Sequence, residues 1–262
     1  MKTALLISTY NWPEALELVL KSLIAQTVLP DEVLIADDGS RDETKALITK
    51  FKKESTLNIN HVWHEDSGFR RTVILNKAIA STNADYIIQL DGDCIMHSNF
   101  IEDHIKNATV GIYLFGSRVN LTEELSAGAV KDQQIDFSFF TKGMTRRTRN
   151  IYLPKFGAFY KAKKELSKKV RGCNLSFWQE DFLKINGYNE DMTGWGREDS
   201  EMVIRLLNND IYGKRLRYQG IIYHLWHPQA QRERDTINYE IQLKAEQQKL
   251  QTCENGIDKY LP

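Results

Sequence analysis

The sequence has few cysteines and no long apolar run. Cys94, Cys173 and Cys253 are widely spaced and form neither a Cys-x-x-Cys pair nor a four-ligand zinc pattern, so a reducing, cytoplasmic compartment is expected. No stretch of about 18 apolar residues is present, which predicts that nothing spans a bilayer. The apolar run at residues 4–7 is too short for a secretory signal.

The sequence also lacks an excess of either charge. Its 35 Lys and Arg residues balance 35 Asp and Glu residues, so no nucleic-acid partner is expected from bulk electrostatics. The balance hides one basic segment, residues 142–171, in which eleven cations accompany a single acid, Glu165. This segment is either a solvated face or a peripheral contact with an anionic membrane.

Apolar residues follow an alternating pattern that indicates an α/β fold. In the first hundred residues, short apolar runs alternate with segments of helical period, which predicts βαβ units and a mostly parallel sheet flanked by helices. Pro13 suits a first helical turn, and residues 40–43 (Ser-Arg-Asp-Glu) form a capping-box pattern that predicts a helix through Phe51. The predicted strands are residues 4–8, 32–37, 58–64 and 86–90.

The pattern is less regular in the second half. Ser98 is expected to open a helix that runs to about residue 107, and a strand is predicted at 111–117. A helix at 198–207 and a strand at 220–225 follow. A polar helix predicted at about 229–252 suggests a main domain, residues 1–228, with a C-terminal helical appendage, residues 229–262.

Polar clusters follow several of the predicted strands. Because loops beyond the carboxyl ends of parallel strands converge, these clusters are expected to share one edge of the sheet. Each alone is as easily explained as a turn or a helix cap, but together they indicate a ligand site. The clusters are residues 8–11, 37–40, 66–71 and 91–93.

Two acids, Asp91 and Asp93, stand one residue apart at the end of a predicted buried strand. Oxygen ligands at this spacing suit a hard divalent cation that also holds a diphosphate. Arg70 and Arg71 offer forked donors to phosphate, although a surface arginine pair is the simpler alternative. No P-loop or Gly-x-Gly-x-x-Gly pattern is present, which disfavours ATP hydrolysis and dinucleotide redox chemistry.

Residues 194–199 (Gly-Trp-Gly-Arg-Glu-Asp) form the densest cluster of the second half. A helix N-terminus keeps carboxylates charged, as a general base requires, and Trp195 offers a face on which a sugar ring stacks. The alternative is a helix cap beside a core tryptophan.

These motifs together resemble glycosyltransferase family 2. The resemblance rests on residues 8–11, 37–40 and 91–93 and implies the GT-A nucleotide-diphospho-sugar transferase fold, with a Rossmann-like central sheet. Residues 172–177 (Gly-Cys-Asn-Leu-Ser-Phe) and 194–199 are similar to the C-terminal half shared by galactosyltransferases and chondroitin-polymerase-type enzymes. The resemblance implies a nucleotide-binding half at residues 1–117 and an acceptor-binding half at residues 118–228.

The resemblance also implies roles for residues that would bind the donor. Thr9 and Tyr10 would line the nucleotide pocket, with Tyr10 against the base and Asp38 on the uracil edge. Arg70 would lie near the diphosphate or the base. The donor expected from the resemblance is a UDP-sugar.

For the metal and the acceptor, the implied roles are equally specific. Asp93, with Asp91 close by, would hold Mn²⁺ or Mg²⁺ together with His224, although His227 stands near enough to be the alternative ligand. Asp199 would be the catalytic base, with Glu198 and Trp195 on the acceptor sugar. Arg197 departs from the family pattern, which commonly has glycine there.

The implied activity is an inverting, metal-dependent transfer of a hexose or N-acetylhexosamine. The acceptor would be a hydroxyl of a glycan or lipid-linked acceptor in cell-surface polysaccharide synthesis, with residues 141–159 as a lid over the donor. A nucleotidyltransferase is one alternative, although residues 8–13 lack the Gly-rich basic loop that it would need. A non-catalytic nucleotide-sugar-binding protein is the other.

Overall fold

The computed structural model of the chain describes residues 1–228 and 233–262. The first residues of the predicted C-terminal helix, 229–232, lie outside the described residues. The strands are β1 (Thr3–Thr9), β2 (Glu32–Asp37), β3 (Ile59–Trp63), β4 (Tyr86–Asp91), β5 (Cys94–Met96), β6 (Ile112–Phe115), β7 (Ser117–Leu121), β8 (Met144–Thr145), β9 (Asn174–Trp178), β10 (Tyr212–Arg215) and β11 (Ile221–His224).

Helices flank these strands along the chain. The α-helices are α1 (Pro13–Ile24), α2 (Asp42–Glu54), α3 (Arg71–Ala80), α4 (Phe100–Asn107), α5 (Glu123–Asp132), α6 (Pro154–Gly157), α7 (Gln179–Lys184), α8 (Glu198–Asn208) and α9 (Asp235–Gln247). Short 3-10 helices occupy Arg147–Asn150 and Asp258–Tyr260. Within the described ranges, no helix combines the length and the apolar character needed to cross a membrane.

A seven-stranded sheet forms the centre of the fold, in the order β10-β6-β9-β4-β1-β2-β3. All neighbours pair in parallel except β9, which runs antiparallel between β4 and β6. The predicted α/β fold with a mostly parallel sheet flanked by helices is therefore confirmed.

Side chains alternate between two apolar layers along β1. Leu6 packs with Leu34 and the α3 residue Ile74 on one face of the sheet. Leu5 and Ile7 face the opposite layer, which includes the apolar side of α1. Because both faces are covered, this strand is apolar almost throughout.

A smaller sheet, in the order β5-β11-β7-β8, adjoins the large one. The prediction of one strand at 111–117 was wrong: β6 and β7 belong to different sheets and are separated by Gly116. The Gly116 N–H donates to the Asn174 carbonyl at 3.0 Å, and a Cβ at this position would overlap the Asn174 side chain. The close approach of β9 thus turns the chain from one sheet to the other.

The predicted helix starts have mixed outcomes. Pro13 begins α1 as expected. The capping box at 40–43 was wrong, since α2 follows Arg41 and no side chain caps it. Ser40 is engaged elsewhere: its hydroxyl accepts a hydrogen bond from the Asn11 N–H at 2.9 Å, which joins the loops after β1 and β2. The helix predicted to open at Ser98 is α4, and the residue that precedes its first turn is Asn99.

The C-terminal segment packs closely on the rest of the molecule. Its helix, α9, is shorter than predicted and lies against α8. The buried Asn238 amide donates to the carbonyls of Thr193 and Gly196, and Ile257 lies in the main apolar layer. The division of the chain at residue 229 stays a prediction.

The ion pair between Arg205 and Glu201 is fully buried in α8. Its nitrogen–oxygen distances are 2.8 and 2.7 Å, and the Arg205 guanidinium also donates to the Ile185 and Gly187 carbonyls. Arg205→Met would leave the Glu201 carboxylate unpaired in the core. We expect a loss of about 3–5 kcal/mol in the free energy of unfolding, measured in urea.

The exposed pair between Lys106 and Glu102 is a matched control. It has the same helical spacing, but the Lys106 side chain is 67% exposed. Lys106→Met should therefore cost less than about 1 kcal/mol. Equal losses in the two variants would contradict a structural role for the buried pair.

Candidate active site

The structure brings together the polar loops at the carboxyl edge of the large sheet. The Asp38 N–H donates to the Thr9 carbonyl at 3.1 Å, and the Gly92 N–H donates to the Ser8 carbonyl at 2.7 Å. A Cβ at Gly92 would lie only 2.9 Å from that carbonyl oxygen, so the turn between β4 and β5 requires glycine. The expectation that these loops share one edge is thereby confirmed.

Asp38 is buried at the end of β2, and both of its oxygens accept hydrogen bonds. His64 Nε2 donates to one at 2.7 Å, and the Arg70 N–H donates to the other at 2.9 Å. Burial raises the pKa of Asp38, and these donors oppose the rise. His64 was not among the predicted site residues; its position beside β2, at the end of the predicted third strand, was the available signal.

Tyr10 lies at the same edge of the sheet, directly after β1. Its side chain is 52% exposed, and its hydroxyl donates to Asp66 at 2.9 Å. The hydrogen bond to Asp66 raises the pKa of Tyr10. The phenol is thus fixed at one end while much of the side chain remains accessible to a ligand.

Asp93 lies with two histidines in a group whose ligand atoms are all within 4.8 Å of one another. His224 Nε2 lies 3.5 Å and His227 Nε2 3.3 Å from Asp93 Oδ2. The strands create this proximity, because β5 pairs antiparallel with β11 and places Cys94 opposite His224. The Leu225 N–H donates to the Asp93 carbonyl and closes the arrangement.

Electrostatics favour an ionised carboxylate in this group. Burial opposes ionisation of Asp93, but His224 and His227 lower its pKa to about 2. Burial lowers the pKa of His224, which favours the neutral imidazole that binds metals, whereas the hydrogen bond to Asp93 raises the pKa of His227. One carboxylate and two imidazoles form a donor set that fits Mn²⁺ or another divalent transition metal.

Asp91 faces a different partner. Its Oδ1 accepts hydrogen bonds from the Ser8 hydroxyl at 3.0 Å and from Arg71. It is not in the group formed by Asp93 and the histidines, so its role as a metal ligand stays a prediction.

Arg71 connects the end of β4 with the start of α8. Its guanidinium pairs with Asp91, with Glu198 at 2.8 Å and with Asp199 at 3.4 Å. These three carboxylates raise the pKa of Arg71 despite the opposing effect of burial. Sequence reasoning considered Arg71 only as a phosphate donor, because its carboxylate partners are up to 128 residues away.

Asp199 is held by a close backbone approach. One of its oxygens accepts the Gly172 N–H at 2.7 Å, and a Cβ at Gly172 would overlap this carboxylate. The Asp199 side chain is 18% exposed, so it remains accessible to solvent.

Glu198 is more deeply buried than Asp199. Burial, together with the neighbouring charge of Asp199, raises the pKa of Glu198 to about 7. Its Oε2 is buried and has no hydrogen-bond partner among the described residues. Trp195, the predicted acceptor platform, is 41% exposed.

Arg197 adopts a left-handed backbone conformation, with φ of +74°, immediately before α8. This backbone region favours glycine, the residue that the family resemblance places at this position. The Arg197 side chain donates to Asp235 of α9 at 2.8 Å and lies over the Tyr239 ring.

The mostly parallel sheet, with the buried Asp38 carboxylate and the Asp93 group at one edge, defines the chain as a member of the GT-A class of nucleotide-diphospho-sugar transferase folds. The sequence model of glycosyl transferase family 2 matches residues 4–164, more than half of the chain. The chain therefore belongs to glycosyltransferase family 2. The model described as the N-terminal domain of galactosyltransferase matches residues 156–228.

Individual relatives agree with this assignment. Chondroitin synthase of Escherichia coli is 24% identical over 260 residues, covering 88% of this chain and 36% of the synthase. The chain spans half or less of the length of the first curated relatives that it matches. These matches confirm the predicted likeness to chondroitin-polymerase-type enzymes.

Two solved structures share the fold. A 1–349 fragment of Staphylococcus aureus TarS in complex with UDP aligns with a TM-score of 0.60 at 15% identity, covering 95% of this chain and 68% of that one. The mannosyltransferase PcManGT from Pyrobaculum calidifontis, in complex with GDP-Man and Mn²⁺, aligns with a TM-score of 0.59 at 14% identity, covering 94% and 61%.

The raised pKa of Glu198 predicts a pH-dependent stability. The carboxyl keeps its proton up to about pH 7 when folded, whereas its ordinary pKa is 4.5. Between these values the folded state binds the additional proton, so this group stabilises the fold at low pH and loses that contribution as the pH rises through 7.

Unfolding in urea at pH 5 and pH 8 checks this with Glu198→Gln. The stability of the unmodified chain relative to the variant should fall by about 2.5 kcal/mol from the lower to the higher pH. A difference between the two proteins that does not change with pH would contradict the assigned shift.

Proposed function

We propose that the chain catalyses inverting, metal-dependent transfer of a sugar from a UDP-sugar to a hydroxyl group. The observation that carries the proposal is the position of Arg71. It pairs with Asp91, next to the candidate metal group, and with Asp199, the candidate base. Arg71 therefore holds the group proposed to activate the incoming alcohol close to the groups proposed to assist the leaving diphosphate.

Donor binding is assigned to the pocket at the ends of β1 and β2. Thr9 lies at its floor, Tyr10 lies against the base, and Asp38 reads the uracil edge, with Arg70 beside the base or the diphosphate. The Arg70 N–H is already bound to Asp38, so the two act as one unit. The UDP complex of the TarS fragment supports a uridine nucleotide.

The metal is assigned to Asp93 and His224, with His227 as a further ligand and Asp91 close by. A bound Mn²⁺ or Mg²⁺ supplies positive charge to the departing diphosphate. The Mn²⁺ in the complex of PcManGT supports this cofactor.

Asp199 accepts the proton of the acceptor hydroxyl as the hydroxyl oxygen attacks the anomeric carbon of the donor sugar. Attack from the side opposite the diphosphate inverts the configuration. Gly172 and Arg71 orient the carboxylate, which positions the base before the substrate arrives. Trp195 and Glu198 bind the acceptor sugar, and the cleft excludes water as a competing acceptor.

The transferred sugar and the acceptor are proposed from the family resemblance. The transferred group is a hexose or N-acetylhexosamine, and the acceptor is a glycan or lipid-linked glycan of a cell-surface polysaccharide. A cytoplasmic location, a peripheral contact with an anionic membrane and a lid at 141–159 stay predictions.

Asp199→Asn removes the base with little change in size. We expect the rate constant of transfer to fall by about 10²- to 10⁴-fold, while UDP binding in the presence of Mn²⁺ is retained. Turnover is measured with a panel of UDP-sugars, and binding by isothermal titration. Exposed Asp132 in the last turn of α5 provides the control variant, Asp132→Asn.

Near-normal transfer by Asp199→Asn would refute the assigned base. Binding of UDP without turnover of any donor by the unmodified chain would favour the non-catalytic binding protein. Incorporation of a nucleoside monophosphate into a sugar phosphate would favour the nucleotidyltransferase.

The metal assignment predicts that His224→Ala and His227→Ala each weaken Mn²⁺ binding by about tenfold or more, because each removes a nitrogen ligand. Titration followed by electron paramagnetic resonance measures the free ion. His97→Ala is the control, since His97 stacks on Tyr152 outside this group. A variant that binds Mn²⁺ as tightly as the unmodified chain identifies a histidine that is not a ligand.

A further inference from the structure

Five cationic side chains converge beside the candidate active site, on the side formed by β7, the 3-10 helix at Arg147–Asn150 and the end of β10. We refer to them as the cationic cluster. Its members are Arg118, Arg149, Lys169, Arg215 and Arg217.

Neutral acceptors hold the arginines in place. Arg149 donates to the Arg118 carbonyl at 3.0 Å, and Arg217 donates to the Thr148 carbonyl at 3.0 Å. Arg215 donates to the Ser117 hydroxyl at 2.8 Å. Two neighbouring residues of β7 and two of the 3-10 helix thus bring the guanidinium groups to one place.

In the described part of the chain, none of the five cations forms a direct ion pair with a carboxylate. Burial lowers the pKa of Arg149, and the charges of Arg215 and Arg217 are among those that lower it further. The charge of Arg215 likewise lowers the pKa of Lys169. Like charges held this close together need an anion.

The cluster is recessed. Its four arginines are partly buried, and the buried Nε of Arg215 has no hydrogen-bond partner in residues 1–228 and 233–262. A guanidinium fork in this setting matches the oxygens of a phosphate group. A membrane surface would instead be met by protruding cations, so the geometry favours a discrete phosphate over a plane of headgroups.

The cationic cluster lies close to the residues that hold Asp199, the proposed base that activates the acceptor. Asn174 donates to the Ser117 carbonyl at 3.4 Å, and Gly172, two residues earlier, holds the base Asp199. Arg118 is within electrostatic reach of Asp91 and Asp93. The cluster therefore extends outward from the reaction centre.

We propose that the cationic cluster is a phosphate-binding subsite, and that the acceptor is a glycan that carries a phosphate group near the hydroxyl to be glycosylated. This inference rests on the proposed function, because it assigns the acceptor of that same site.

The test uses glucose 6-phosphate and glucose as probes of the full chain, in EDTA at low salt, with affinity measured by isothermal titration. The chain should bind the phosphate ester and not the neutral sugar. The double variant Arg215→Gln/Arg217→Gln should weaken that binding by about tenfold or more. Lys142→Gln/Lys161→Gln, which removes two exposed charges of the basic segment outside the cluster, should leave it unchanged.

A second measurement separates the acceptor from the donor. UDP binding with Mn²⁺ should be the same in Arg215→Gln/Arg217→Gln and in the unmodified chain. Equal losses for UDP and glucose 6-phosphate would assign the cluster to the donor and overturn the proposal. Failure of the unmodified chain to bind UDP would refute the proposed function, while the glucose 6-phosphate titration would still report on the cluster.

A third measurement separates a glycan phosphate from a lipid headgroup. Co-sedimentation with vesicles of phosphatidylglycerol and phosphatidylcholine should not depend on Arg215 and Arg217. Vesicle binding that these variants abolish, without binding of glucose 6-phosphate, would overturn the proposal. If the glutamine variants do not fold, the unmodified chain is labelled with phenylglyoxal. Slower labelling of Arg149, Arg215 and Arg217 in the presence of glucose 6-phosphate supports the site, and unchanged labelling rejects it.

Discussion

The arrangement of the site depends on one buried guanidinium. Arg71 stands at the first position of α3, and Asp91, Glu198 and Asp199 surround it. Three acids this close would repel one another strongly in a low-dielectric cleft, and at least one would take up a proton. Glu198 already does so near neutral pH, which leaves Arg71 to support the charge on the other two. The same side chain joins elements from the first and second halves of the chain, so charge balance and the geometry of the cleft have a common origin.

Backbone N–H groups also orient carboxylates of the site. The Gly172 N–H holds Asp199, and the Arg70 N–H holds Asp38. These donors belong to loops that are themselves anchored by sheet strands, so the carboxylates are oriented without movement of long side chains. Such preorganised donors are effective because they require no rearrangement when a substrate binds. The glycine next to β9 is needed for space, since any side chain there would displace the carboxylate.

Much of this fold could be predicted from local pattern, and much of the site could not. Apolar periodicity located β1, β2 and β4, because strands buried on both faces need continuous apolar sequence. The break at Gly116 and the use of Ser40 depend on Asn174 and Asn11, partners that no local pattern identifies. Acidic motifs indicated Asp93 and Asp199, whereas the bridging role of Arg71 and the pairing of His64 with Asp38 follow only from three-dimensional proximity. Residue type indicated which groups react, and the fold determined what each one faces.

Arg197 links the segment that precedes Asp199 to the C-terminal helix α9. The left-handed backbone conformation of Arg197 costs free energy and persists only when surrounding contacts offset that cost. Here the contacts of the Arg197 side chain with Asp235 and Tyr239 of α9 offset it. The contacts with Asp235 and Tyr239 couple the peptide before Glu198 to a helix about forty residues downstream, so alterations in α9 can reach Glu198 and Asp199 through the backbone torsion of Arg197.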